Sequence, residues 1–246
     1  MINIRKAQPR DTDRRRKESD WHTLDPDAPS AATGLERVSE ERLPPGASAS
    51  RHPVRDGEMI TWVREGTLAW EDGLGRSGLL KAGEFQRMTV KRSVPHSKSN
   101  ASRTAWAQAF QIWLGPAAAG FATDHEQKRF SSAQRRGSLC VIASPDARAG
   151  SLRLHQDTLL YSALLAPGQH IVHELGPGRR AWLQVVRGRV TLNDNVLSEG
   201  DGARLVGERV VSLRAIDEAE LIMIDLHPDG VHRNDAAESI APDASI

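Results

Sequence analysis

The sequence predicts an all-β protein built from two copies of one small barrel, and three observations carry that reading. Short strand-like runs recur along the chain, each ended by Gly, Pro or Asp turn residues. No stretch holds a sustained helical period. The segment Trp62-Val63-Arg64-Glu65-Gly66-Thr67-Leu68 is echoed by Val185-Val186-Arg187-Gly188-Arg189-Val190, and Leu80-Lys81-Ala82-Gly83-Glu84 by Leu197-Ser198-Glu199-Gly200-Asp201. The offset, roughly 120 residues, is the size of one small barrel. Two such units account for 246 residues better than one large domain does.

Taken in order, Met1–Ala7 alternates enough for a short strand. Arg14–Lys17 is a basic run with acidic neighbours, read as a solvated loop. Trp21-His22-Thr23-Leu24 precedes a loop rich in Asp, Pro, Ala and Ser. Leu35–Leu43 reads as a strand stopped by Pro44-Pro45-Gly46, since proline cannot donate to a ladder. Arg51–Val63 is strand-like. Residues two apart share a face, so His52, Val54, Glu58, Ile60 and Trp62 are expected on one side. Glu65-Gly66 and Asp72-Gly73-Leu74-Gly75 are turns, and Phe85–Val90 and Ala105–Leu114 are strands. Residues 116–136 read as a connector with a short helical turn, His125-Glu126 included. Strands then recur at short intervals from Leu139 to Leu226. The polar stretch 229–246 reads as a disordered tail. The expected domains are residues 1–130 and 131–228.

Composition excludes several classes. A net charge of +1 gives no reason to expect bound nucleic acid or an anionic membrane. No apolar run is long enough to span a bilayer, and Met1–Lys6 lacks the apolar core of a signal peptide, so the expected location is cytoplasmic. Cys140 is the lone cysteine and sits in an apolar run, which points to an inert core thiol. No Ser-His-Asp order, phosphate-cradling loop or Cys-x-x-Cys is present. His170 and His173 are three apart and fall on opposite faces of a strand. His155 reads as a hydrogen-bonding residue near the domain junction.

The turn–strand–turn pattern resembles the cupin barrel, an RmlC-like jelly roll. Taken with Trp21-His22-Thr23, His52-Pro53, Ala82-Gly83-Glu84-Phe85-Gln86, His96-Ser97, Gln111-Ile112-Trp113 and Ser144-Pro145-Asp146-Ala147-Arg148, it resembles the pirin family over about residues 1–228. The likeness is greatest to bacterial members, some of which act as quercetin 2,3-dioxygenases. That resemblance implies tandem cupin barrels with one metal, usually iron, in the N-terminal one. The family holds it with a His-x-His pair and a His-x-Glu pair. His52 matches the first ligand and His96 the third, while Val54 and Lys98 stand in the places of the second and fourth. Valine has no donor atom, and an ammonium beside a divalent cation is repulsive.

Three states of the pocket follow. The metal is lost, and Lys98 supplies the positive charge, paired with Glu58 or with an anionic ligand. Or His52, Glu58 and His96 keep a reduced Fe(II) or other divalent site of the two-histidine, one-carboxylate kind. Or the histidines are simply hydrogen-bonded barrel residues. The missing ligands favour the first state, with no bound metal and a non-catalytic module that binds a small ligand or regulates a protein partner. The alternative is a dioxygenase of the quercetin 2,3-dioxygenase type, and the expected oligomeric state is left open, a monomer included.

Overall fold

A computed structural model describes residues 1–7, 19–22, 34–49, 56–91, 94–115 and 123–227. Its strands in chain order are β1 (Ile2–Arg5), β2 (Ser19–His22), β3 (Leu35–Leu43), β4 (Gly57–Glu65), β5 (Thr67–Asp72), β6 (Ser77–Lys81), β7 (Glu84–Val90), β8 (His96–Asn100), β9 (Ala107–Leu114) and β10 (His125–Arg129). After one turn of helix, α1 (Ser132–Arg135), come β11 (Cys140–Ser144), β12 (Leu152–Arg153), β13 (Thr158–Leu165), β14 (His170–Glu174), β15 (Arg180–Arg187), β16 (Arg189–Leu192), β17 (Asn195–Ser198), β18 (Gly202–Val206), β19 (Val210–Ala215) and β20 (Ala219–Leu226). The basic run at 14–17, His52, Val54 and residues 228–246 lie outside the described residues.

The sheets repeat as the sequence repeats. The N-terminal barrel pairs a sheet ordered β10-β7-β4-β9-β3-β2 with one ordered β6-β5-β8. The C-terminal barrel pairs β1-β18-β15-β20-β13-β11-β12 with β14-β19-β16-β17. Each echoed turn has the same job twice. Gly66 (φ 79°) and Gly188 (φ 77°) lie in left-handed conformations, and a Cβ at either would collide with a backbone oxygen, of Trp106 or of Glu218. Gly83 N–H donates to the Val63 carbonyl at 2.9 Å, and Gly200 N–H to that of Val185 at 2.8 Å. Even the register shift recurs, between Val63 and Glu65 and between Val185 and Arg187.

Two expectations are corrected. Residues 2–5 were placed in the N-terminal unit, but β1 pairs antiparallel with β18 and closes the edge of the C-terminal sheet. His125-Glu126 is not a connector. It belongs to β10, which pairs with β7 and occupies in the N-terminal barrel the place β1 takes in the other. Polar His-Glu-Gln-Lys-Arg composition hides this strand, because an edge strand needs little apolar surface.

The six- and seven-stranded sheets meet face to face. Ile60, Trp62, Phe85, Phe110, Ile112 and Leu114 pack there against Ile142, Leu152, Leu160, Trp182, Ile222 and Ile224. Trp62 stacks on Phe85 with centroids 5.2 Å apart, and the Arg135 guanidinium lies 5.3 Å over the same indole. Burying each large side chain in such a layer contributes roughly 1.5–3 kcal/mol. At its rim Glu220 accepts from Arg64 Nε (3.0 Å) and from Arg135 Nη1 (2.9 Å), tying the barrels by charge as well. Cys140 packs against this layer, half-buried, and burial pushes its thiol up, as expected of an inert cysteine.

Candidate functional site

Alternation along β4 sends Glu58, Ile60 and Trp62 toward the inter-barrel layer and Met59, Thr61 and Val63 into the N-terminal barrel. Cross-strand pairing extends the inward set. Thr61 lies opposite Gln86 on β7 and Gln111 on β9, and Gln111 lies opposite Ser39 on β3. These four polar residues form one transverse row, none more than 3% exposed. Glu41, from the next row, accepts from Gln111 Nε2 at 2.6 Å.

The facing sheet contributes Lys98. It lies opposite Trp70 on β5, whose indole packs over Gly78, where there is no side chain to exclude it. Lys98 is 7% exposed, and its Nζ donates to Thr61 Oγ1 at 2.5 Å and lies 3.5 Å from Met59 Sδ. Burial brings the ammonium down to about 8, with the negative charge of Glu41 opposing. His96, two residues earlier, lies on the same face of β8, with its ring 5.9 Å from that of Trp113. His125 completes the wall, edge-on to Trp70 at 4.8 Å.

Several polar atoms in this interior are buried without a hydrogen-bond partner among the described residues. They are Ser39 Oγ, both amide atoms of Gln86, and the indole nitrogens of Trp70 and Trp113. Native interiors rarely leave such groups unsatisfied unless a water or ligand meets them. Donors dominate this set, which suits an oxygen-rich guest.

Glu58 is not part of this interior, contrary to the reduced-site expectation. The strand parity inferred from the sequence holds for Glu58, Ile60 and Trp62, but their shared face is the outer one. The Glu58 carboxylate accepts from His155 N–H at 3.0 Å and lies 3.1 Å from His155 Nδ1. Burial raises its pKa, opposed by His155 and Arg87. It therefore pairs neither with Lys98 nor with His96. His155 does hydrogen-bond at the junction, as expected. Among the described residues no group of three His, Cys, Asp or Glu side chains is placed to hold a metal ion. His170 and His173 are also separate, bonded to Ser212 at 2.8 Å and to Asp225 at 3.0 Å respectively. The polar row itself was missed by sequence reasoning. Gln86, Gln111 and Thr61 are unremarkable one at a time, and only cross-strand register brings them together.

Comparison with known proteins agrees with this architecture. A family model described as Pirin matches residues 4–114, and one described as Quercetinase C-terminal cupin domain matches residues 141–226. The chain is 35% identical over 234 residues to a quercetin 2,3-dioxygenase of Escherichia coli strain K12, covering 93% of this chain and 100% of that one. It is 30% identical over 188 residues to a pirin-like protein of Caulobacter vibrioides, covering 76% and 81%. The crystal structure of YhhW from Escherichia coli superposes with a TM-score of 0.84 at 34% identity, covering 94% of this chain and all of that one. The bacterial pirin YhhW in complex with nickel(II) superposes at 0.82 with the same identity, covering 93% and 100%. Among the described residues, no helix is long and apolar enough to cross a membrane.

Proposed function

This chain belongs to the pirin family, and from that premise we propose that its N-terminal barrel is a small-molecule site of the quercetin 2,3-dioxygenase type, acting on a planar hydroxylated aromatic substrate. One observation carries the reading: among the described residues the barrel interior holds a row of buried polar side chains, with unsatisfied hydrogen-bonding groups at Gln86 and Ser39 and at the neighbouring Trp113. A barrel built only as scaffold would fill that row with aliphatic side chains. The near-full-length relatives bearing the dioxygenase name support the enzyme reading over the non-catalytic module that the missing ligands favoured.

The relatives also favour a divalent metal over the metal-free pocket expected from the sequence, since one of them is seen with nickel(II). Bound in a pirin barrel, such a metal would supply Lewis-acid activation of the substrate oxygen and of O₂. The described residues do not complete the family's ligand set. By the resemblance His96 stands for the third ligand and Lys98 for the fourth, and the Lys98 ammonium is buried against Thr61 rather than supplying a carboxylate. What the chain's own residues do is bind and orient. The Gln86 amide and the Trp113 indole N–H offer hydrogen bonds, and Met59 and the Trp70 ring offer apolar surface.

The test is oxygen uptake with quercetin, on protein incubated in turn with Fe(II), Ni(II) and Mn(II), alongside elemental analysis. Oxygen consumption matched one-for-one to flavonol loss supports the enzyme. Saturable quercetin binding with no oxygen uptake under any metal supports instead a ligand-binding module, the reading that the Lys98–Thr61 bond favours.

A further inference from the structure

The geometry points to Lys98 as an anion anchor: its ammonium binds a ligand oxyanion (an enolate, phenolate or carboxylate) at the place where the family's barrel presents a metal cation. The inference rests on the reading that the N-terminal barrel is the ligand site, and it adds the charge and the contact atom of the ligand.

Three observations carry it. Lys98 is buried in the barrel interior, and among the described residues its Nζ meets only the neutral Thr61 Oγ1 and Met59 Sδ. Among the described residues no carboxylate lies within ion-pair distance of it. Glu41 acts on it only through space and already binds Gln111. A buried ammonium with one neutral oxygen partner is an unfavourable arrangement unless something anionic joins it. An ammonium has three donors: one goes to Thr61 Oγ1 and a second to the Met59 sulfur, a weak acceptor, so neither partner supplies negative charge. The second observation is what surrounds it. The unpartnered groups of the same interior are mostly N–H and O–H donors, from Gln86, Ser39, Trp70 and Trp113. A guest that satisfies them is rich in acceptor oxygens and aromatic enough for the tryptophan walls. The third is the second barrel. The position matching Lys98 there is Leu213, fully buried in an aliphatic core. The fold itself does not require a cation at this place.

The experiment is ligand titration followed by tryptophan fluorescence, without oxygen and with EDTA, so that neither turnover nor metal contributes. The probes are quercetin, its penta-O-methyl ether, which has no ionisable hydroxyl, and salicylate. Lys98→Met keeps length and removes charge. It is expected to weaken quercetin and salicylate by about 10-fold or more, the loss of one charge-assisted hydrogen bond, and to change the ether by less than about 2-fold. The ligand-free variant is expected to melt higher than the parent, whereas a structural lysine would make it melt lower. Should Lys98→Met fail to fold, the lysine Nζ resonance of the unmodified protein serves as readout, and quercetin or salicylate must shift it. Equal affinity of parent and variant for both anionic probes overturns the anchor, as does an unmoved Nζ resonance at saturating probe. Lys98-dependent salicylate binding without oxygen uptake on quercetin keeps the anchor and overturns the dioxygenase reading. Turnover unchanged in Lys98→Met does the reverse.

Discussion

Across β7, β4, β9 and β3 the N-terminal barrel presents Gln86, Thr61, Gln111 and Ser39 to its interior. The matching row of the C-terminal barrel, across β18, β15, β20 and β13, presents Ala203, Leu183, Met223 and Tyr161. His96 and Lys98 on β8 correspond to Val211 and Leu213 on β19, and Glu41 corresponds to Ala163. Turns, bulge and sheet order are shared, so the backbone does not explain the difference. One barrel fills that row with apolar packing, and the buried carboxylate further along β20, Asp225, is bonded by Arg179 and His173. The other carries polar groups that a stability-driven core would exclude. The packed copy lies against it through a broad apolar layer, which lets the polar copy hold its shape without a fully apolar core of its own.

The largest effect is expected from moving the charge to the wrong barrel. Leu213→Lys places an ammonium in a core of leucine, valine and alanine without the Thr61 or Glu41 equivalents. It should destabilise by about 4 kcal/mol or more, read by chemical denaturation. If Leu213→Lys is tolerated, the two interiors do not differ as argued. Next comes deletion of residues 1–7. It strips β1 from β18, loses the packing of Ile2 and Ile4 and opens a sheet edge. The expected loss is about 2–3 kcal/mol, with hydrogen exchange rising at Gly202–Val206 and unchanged at Glu84–Val90.

The reciprocal change sharpens the contrast. Lys98 has a pKa near 8 folded and 10.5 unfolded, so between those values the unfolded chain binds more protons. Stability should therefore rise as pH climbs from about 8 to 10.5. Below 8, burying the charge costs on the order of 3 kcal/mol. Lys98→Met should abolish that slope, and thermal melts across the range would show it.

The sequence made the doubled barrel legible because Glu-Gly and Ala-Gly-Glu turns need particular backbone conformations, and those leave glycine in place at both copies. His96 and Lys98 were legible as a pair two apart on one face. Glu58 was misplaced for a physical reason: period-two alternation says which residues share a face but not which face is the interior. That depends on what covers the other side, here a second barrel contributing His155 from about a hundred residues away. The role of β1 was hidden likewise, since strand pairing at a separation of 205 residues leaves no local trace.

The smallest effect concerns the carboxylate of the repeated turn, which in each barrel reaches the last edge strand. Glu84 accepts from Lys81 N–H at 2.7 Å and from Gln127 on β10 at 2.9 Å. Asp201 accepts from Ser198 N–H at 2.9 Å, Ala7 N–H at 2.8 Å and Lys6 Nζ at 2.9 Å. The N-terminal closure is thus a neutral amide contact and the C-terminal one an ion pair. Burial alone would raise the Asp201 carboxyl, but the Lys6 and backbone donors hold it below 3.8. Its folded pKa is depressed, so its contribution is present above pH 4 and is lost as pH falls through the unfolded value toward the folded one. Asp201→Asn should cost about 1 kcal/mol at neutral pH, because Lys6 is mostly solvent-exposed and the pair is screened. The same variant should flatten the acid limb of the stability curve below pH 4. Glu84→Gln should cost less and leave that limb in place. Equal acid sensitivity in the two variants would mean that the barrels close their edges by the same means, and that charge at the β1 seam contributes nothing of its own.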